Sequence, residues 1–233
     1  MAKIGIILGS GFNNFSNELK NVKLIYEDKS GIHHKKILSG SIRNKNIIVF
    51  DGRHHVYERV SSKKIFFNID KAKEFGIQLL IITNAAGGIN NRFNVSDLML
   101  ITSHLNLFYR RIPFKRNLEY FDKEIINKVK SISKKNKIKL HTGVYCATSG
   151  PMYETKAEIN FFKLFGVDAA GMSTIPEIIY ANKLGIKTIA ISCITNLLSH
   201  ESNGITVHDD VLSAGEKAYP SFSKLTKAII SEF

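Results

Sequence analysis

The run Leu79-Leu80-Ile81-Ile82-Thr83-Asn84-Ala85-Ala86-Gly87-Gly88 has two halves of opposite character. Its first four residues are unbroken aliphatic, the composition of a central strand covered on both faces. From Asn84 onward there is almost no side chain, and several main-chain N–H groups are left unscreened. These residues predict a turn that closes the strand. A buried strand ending in such a turn sets main-chain donors at the C-terminal edge of an α/β sheet, where ligands bind. An ordinary tight turn, with glycine supplying φ > 0, accounts for the same letters.

Outward from this run the chain alternates strand and helix patterns. Lys3-Ile4-Gly5-Ile6-Ile7-Leu8 reads as a buried strand closed by Gly9-Ser10-Gly11. The third glycine of a dinucleotide fingerprint is missing, because Asn14 stands in its place. A turn presenting Ser10 and nearby amides to an anion fits better. Residues 22–26 form a second strand. Segments 36–42 and 46–50 flank Arg43-Asn44-Lys45 as a hairpin. A helix is predicted over 61–75, with Gly76 as its stop. Further strands are expected over 97–101, 141–148 and 188–194, with a short one or a turn at 167–171. Helices are expected over 122–136, at 155–165 behind the capping box Thr155-Lys156-Ala157-Glu158, from Pro176 to Gly185, and from His208 to the C-terminus. Residues 197–207 read as a mobile loop. This pattern, without repeats or linkers, predicts one α/β domain over residues 1–233.

Composition narrows the function. The chain has 233 residues, 44% hydrophobic and 23% charged, ordinary for a soluble globular protein. No apolar run approaches the roughly 20 residues that span a bilayer, and the N-terminus lacks a signal peptide's pattern. Cys146 and Cys193 sit among small and apolar residues, which suits reduced, buried thiols in the cytoplasm. The net charge of +13 raises nucleic-acid binding. Its lysines are scattered in ones and twos without an arginine block or finger spacing, so solvated faces are the preferred reading. A basic field also attracts small anionic substrates.

Polar residues recur at the expected strand ends: Ser10, Arg53, Asn84, Glu154, Ser173 and Asn196. The densest cluster is Arg53-His54-His55-Val56-Tyr57-Glu58, too polar for a core. The pairs His33-His34 and His54-His55 lack metal-ligand spacing, so no metal is expected. Ser10, Arg53, His55 and Ser173, with the Ala85 amide, are donors suited to an oxyanion such as phosphate. Glu154 and Asn196 suit the edge of a heterocycle, and Tyr57 and Met172 the face of a sugar. Glu154 precedes a helix N-terminus, which is expected to favour its anionic form.

These residues fall in six motifs in a familiar order. They are Leu8-Gly9-Ser10-Gly11, Gly52-Arg53-His54-His55-Val56-Tyr57-Glu58 and Thr83-Asn84-Ala85-Ala86-Gly87-Gly88. They continue with Gly150-Pro151-Met152-Tyr153-Glu154-Thr155, Gly171-Met172-Ser173-Thr174-Ile175-Pro176-Glu177 and Ile194-Thr195-Asn196. Through them the chain resembles the trimeric purine nucleoside phosphorylase family, which also contains methylthioadenosine phosphorylase. The resemblance implies a mixed, partly barrel-like central sheet flanked by helices, in a homotrimer with sites near subunit interfaces. It implies a phosphate site of Ser10, His33, Arg53, His55, Ala85 and Ser173, with His34 competing for the role of His33. Tyr57, Met172 and His208 would contact the ribose, and Tyr153, Glu154 and Asn196 the purine. Asn196, Glu154 and His55 would carry the catalysis. No cofactor is implied; inorganic phosphate is the co-substrate.

Two departures stand out. Arg59 occupies the place where the family has glycine after the Tyr-Glu pair. The segment between Leu107 and Tyr120 is short and lacks the family's Arg-Phe-Pro run. In the family it sends an aromatic residue into the neighbouring subunit's site. Phe108, Tyr109, Phe114 and Phe121 are the candidates here. The implied reaction is phosphorolysis of purine nucleosides. Asn196 and Glu154 match the O6 acceptor and N1–H donor of a 6-oxopurine, which favours inosine and guanosine over methylthioadenosine; xanthosine stays open. The rivals are a nucleoside hydrolase, disfavoured by so many phosphate donors, and a basic nucleic-acid-binding protein without turnover.

Overall fold

The computed structural model describes residues 3–29, 34–108, 120–198 and 208–233. Nine strands form one mixed sheet: β1 Ile4–Leu8, β2 Lys20–Asp28, β3 Lys35–Ile42, β4 Lys45–Asp51, β5 Leu79–Gly88, β6 Leu98–Asn106, β7 His141–Ala147, β8 Ala169–Gly171 and β9 Lys187–Leu197. Six α-helices accompany them: α1 Ser62–Ile65, α2 Phe67–Glu74, α3 Lys123–Lys135, α4 Lys156–Leu164, α5 Ile175–Lys183 and α6 His208–Glu232.

The strand order is β2-β3-β4-β1-β5-β8-β7-β6-β9, and β9 pairs back onto β5. That last pairing closes β5, β8, β7, β6 and β9 into a five-stranded barrel, with β1 to β4 as an open extension. The partly barrel-like sheet expected from the resemblance is therefore present. In β1, Ile4, Ile6 and Leu8 enter one core with Phe12, Phe15 and Phe222, while Ile7 enters another with Ile69, Ile178 and Ile179. This period of two places α6 and α3 on one side of the sheet and α2 and α5 on the other.

Most local signals held. The β3–β4 turn carries Arg43 at φ 50° and Asn44 at φ 62°, the two positive φ values of a two-residue hairpin turn. Asp122 caps α3 through Glu124 and Ile125 N–H, and Thr155 and Glu158 form the expected capping box on α4.

Three expectations need correction. β5 does not stop at Asn84; it runs ten residues to Gly88, because β9 pairs with it along its whole length. β9 likewise includes Thr195 and Asn196. The helix over 61–75 is two helices broken at Phe66, whose φ and ψ are −92° and 2°. The Phe66 ring packs on Tyr180 at 4.4 Å and Phe67 on Tyr26 at 4.9 Å.

Candidate functional site

A cavity of about 510 Å³ opens beside β5, and ten of the twelve residues singled out from the sequence line it: Ser10, Arg53, His55, Tyr57, Ala85, Tyr153, Glu154, Met172, Ser173 and Asn196. His33 and the loop at 199–207 lie outside the described residues, as do Tyr109 and Phe114. His208 opens α6, but its side chain is likewise outside the description. The neighbouring His34 does line the cavity, with its Nε2 3.0 Å from Glu27. Phe108 is buried in the core, and Phe121 packs beside His104 at 5.6 Å.

Three connections and the strand β5 deliver one end of the cavity. After β1, Phe12 N–H bonds the Gly9 carbonyl, making the turn that carries Ser10. Gly11 then meets Gly215 of α6 so closely that a Cβ on either would lie under 3.0 Å from the other's backbone. This contact, with Glu18 accepting from Tyr219 and Ser223, lays the start of α6 against the cavity through Val211 and Leu212.

After β4 comes Arg53, only 4% exposed. Its Nη1 donates to Glu177 Oε2 at 2.8 Å and to Thr174 Oγ1 at 3.3 Å, and its Nη2 donates to the Thr83 carbonyl. Thr83 in turn accepts from Gly9 N–H at 2.8 Å and donates to the Ile7 carbonyl, tying β5 to β1 beneath the site. Asn84 donates to Thr174 at 2.9 Å. It is therefore a structural brace, set within β5.

His55 is held by Glu58, which accepts from its backbone N–H at 2.8 Å and lies 3.2 Å from its Nδ1. His54 Nδ1 lies 3.3 Å from the other oxygen. Burial pushes the Glu58 carboxyl up, but the bonds from His55 and His54 outweigh it and leave it below the ordinary range. His55 thus borders the cavity with its Nδ1 turned toward Glu58. Tyr57 stacks on His55 at 4.8 Å, and burial together with Glu58 pushes its hydroxyl up to about 12.

The other end is built by β9 and the β7–α4 connection. β9 pairs Ile194 with Ala86 but Asn196 with Gly87, so Thr195 is one residue too many. This β-bulge re-aims the strand and brings Asn196 to the cavity. Thr195 Oγ1 donates to Asn196 Oδ1 at 3.2 Å, so the Nδ2 end is the one that can donate to a ligand. Glu154 accepts weakly from Thr148 at 3.4 Å. Its carboxyl is held above the usual carboxylate range by burial, which outweighs its own backbone N–H and Thr148, with Glu158 adding repulsion. Desolvation thus outweighs the expected support from the helix N-terminus.

The sequence reading missed the part played by Thr174 and Glu177. A lone acid within Ile175-Pro176-Glu177-Ile178-Ile179 was the available signal, since a charge inside an apolar helix start needs a buried partner. Among the described residues no group of three or more His, Cys, Asp or Glu is arranged to hold a metal, and no helix is long and apolar enough to cross a membrane.

The sequence matches the phosphorylase superfamily over residues 3–231. It is 38% identical to Purine nucleoside phosphorylase 1 of Bacillus subtilis, across 99% of this chain and 92% of that protein. It is 30% identical to purine nucleoside phosphorylase of Bos taurus, across 98% and 88%. The fold matches the crystal structure of isoform 2 of purine nucleoside phosphorylase from Schistosoma mansoni, in complex with cytosine and ribose-1-phosphate, with a TM-score of 0.90. That match covers 100% of this chain and 90% of the other at 31% identity.

Proposed function

The chain belongs to the phosphorylase superfamily, among its purine nucleoside phosphorylases, and from that premise we propose that inosine and guanosine are its preferred substrates. The reaction is phosphorolysis, in which a purine nucleoside and phosphate give free purine and ribose 1-phosphate. The observation that carries the preference is one cavity joining oxyanion donors at one end to a carboxylate and a primary amide at the other.

In this reading Ser10, Arg53, His55, Ser173 and the Ala85 amide hold phosphate, with His33 or His34 closing over it. Tyr57 and Met172 cover the ribose, and His208 meets its 5′-hydroxyl. Glu154 accepts the N1–H of a 6-oxopurine, Asn196 donates to its O6 and N7 side, and Tyr153 lies along the base. As the glycosidic bond lengthens, the sugar gains oxocarbenium character and negative charge flows to the purine. Phosphate then attacks the cationic carbon, and no enzyme nucleophile is required. Asn196 stabilises the departing charge, a preorganised donor of the kind that contributes about 3 kcal/mol in the transition state. A 6-aminopurine presents a donor where O6 was and lacks the N1–H, so it meets Asn196 and Glu154 badly.

A homotrimer is part of the same proposal. It is supported by exposed apolar side chains: Met152, between the cavity-lining Pro151 and Tyr153, is 82% exposed, and Phe161 and Leu164 of α4 and Phe165 just after it are also exposed. A cytoplasmic location is supported by two buried free thiols. The test is ultraviolet-monitored cleavage of inosine, guanosine, adenosine and methylthioadenosine, with and without phosphate. Phosphate-dependent turnover favouring inosine and guanosine is expected. Faster cleavage of methylthioadenosine than of inosine refutes the preference. Salt-sensitive RNA binding without turnover would favour the nucleic-acid reading.

A further inference from the structure

Glu177 occupies the first turn of α5 and is 4% exposed. Its Oε2 takes Arg53 Nη1 at 2.8 Å, and the Thr174 backbone N–H also favours its charged form, while its Oε1 is buried with no hydrogen bond of good geometry among the described residues. A buried carboxylate left half satisfied is a poor way to stabilise a fold; well-packed apolar residues of similar volume generally do as well or better. Arg53 lines the cavity and Glu177 does not. Whatever Glu177 contributes at the site, it contributes through the guanidinium in front of it.

The surrounding backbone points the same way. Thr174 has φ 76° and ψ −54°, and Ile175 N–H bonds the Ser173 carbonyl at 2.9 Å across it. This is a γ-turn, a strained shape for a β-branched residue. The Thr174 hydroxyl is held from one side by Asn84 and from the other by Arg53. The turn presents Ser173 to the cavity and starts the helix that carries Glu177. One brace therefore fixes both the hydroxyl and the guanidinium before any ligand arrives, and strain of this sort persists only where its surroundings over-determine it.

Resting on the reading of Ser10, Arg53, His55 and Ser173 as the phosphate subsite, we propose that Glu177 is a positioning residue that holds Arg53 in its phosphate-binding orientation. Electrostatics makes the proposal decidable by sign. A carboxylate behind the site repels phosphate, so if its charge were all that mattered, Glu177→Gln would tighten phosphate binding. If it orients Arg53, the same substitution weakens it, because Arg53 loses its charged partner and keeps neutral ones such as Thr174 and the Thr83 carbonyl to hold it before phosphate binds.

The experiment measures KM for phosphate at saturating inosine, and KM for inosine at saturating phosphate. It uses the full-length chain with E177Q, R53K and the double substitution. Glu177→Gln is expected to raise KM for phosphate about tenfold, the loss of roughly one charge-assisted hydrogen bond's ordering. KM for inosine and kcat should stay within about threefold. In the Arg53→Lys background the second substitution should add nothing further. A fall or no change in KM for phosphate in the Gln variant overturns the proposal. So does a joint loss in both KM values and kcat, which marks a merely structural role. Should Glu177→Gln not fold, Glu177→Asp asks the same question with the charge kept but withdrawn by one methylene. A KM for phosphate raised about threefold or more then supports positioning, and an unchanged one overturns it. If Arg53→Lys itself leaves KM for phosphate unchanged, the phosphate-subsite reading fails, which is a different result from failure of the Glu177 role alone.

Discussion

Replacing Arg59 with glycine should stabilise the protein. Arg59 ends the short turn Val56–Glu58 with φ 54° and ψ 26°, squarely left-handed, and its N–H bonds the Val56 carbonyl at 3.2 Å. Its side chain is exposed. An L-residue in this region carries about 1–2 kcal/mol of strain that glycine does not. Glycine returns about 0.5–1 kcal/mol of this through its greater freedom in the unfolded chain. The net gain is about 0.5–1 kcal/mol, which for a chain of this size raises Tm by about 1–4 °C. Arg59→Ala is the control, because it removes the same charge and side chain but keeps the Cβ and hence the strain. Scanning calorimetry should show the rise for glycine and little change for alanine. The turn also holds Tyr57 and Glu58, so kcat/KM for inosine in Arg59→Gly should stay within about twofold. An unchanged or lower Tm for Arg59→Gly, or an equal rise for Arg59→Ala, would refute the backbone argument.

The remaining expectations concern the site and the thiols. Burial holds the Glu154 carboxyl above its ordinary value, so as pH falls it takes up its proton earlier than a surface carboxylate. kcat/KM for inosine should therefore drop on an acid limb centred above 4.5, and a limb at or below that value in a pH–rate profile contradicts the desolvation argument. Glu154→Gln should remove that limb and lower kcat/KM about 10–100-fold, the usual range for losing a hydrogen bond to a charged group. Asn196→Asp should move the inosine-to-adenosine ratio of kcat/KM toward adenosine, and an unchanged ratio sinks the assignment of Asn196 to the purine. Burial pushes both the Cys146 and Cys193 thiols up to about 12. A thiol reagent at pH 8 should thus leave the native protein unlabelled and react with both cysteines after unfolding; rapid native labelling would contradict it.

What could be read from the sequence was whatever depends on neighbours along the chain. The hairpin around Arg43-Asn44, the helix that follows Asp122 and the Thr155–Glu158 box are local features, and each stands where its residues predicted. The site residues were legible because short motifs carried them, and the cavity brings Ser10, Arg53, Ser173 and Asn196 together from four separate strand connections or strands. What stayed hidden depends on neighbours in space. Nothing in Ile194-Thr195-Asn196 announces a bulge, which exists only relative to the register with β5. Glu154 looked like a helix-stabilised anion because its burial is created by segments far from it in sequence. The break at Phe66 is not announced by the local pattern either, and the Phe66 ring packs on Tyr180, far from it in the chain.

The same reasoning explains why Ala85, Ala86, Gly87 and Gly88 were misread as a turn. They are small because β5 belongs to both the open sheet and the closed barrel, so bulk is excluded from more than one side. A Cβ on Gly87 would come within 2.8 Å of Leu198, and one on Gly88 within 2.8 Å of Ile194. Along the strand, Asn84, Ala86 and Gly88 are buried while Ala85 and Gly87 are half-buried, an alternation of burial, and the whole run from Asn84 to Gly87 borders the cavity. The strand also works as a ruler. Arg53 docks on the Thr83 carbonyl at one end, and Asn196 pairs with Gly87 at the other. Four residues of extended chain separate them, about 13 Å, a span comparable to phosphate, ribose and purine laid end to end. A true turn at Asn84 would have folded that distance away and left Arg53 and Asn196 without a common axis.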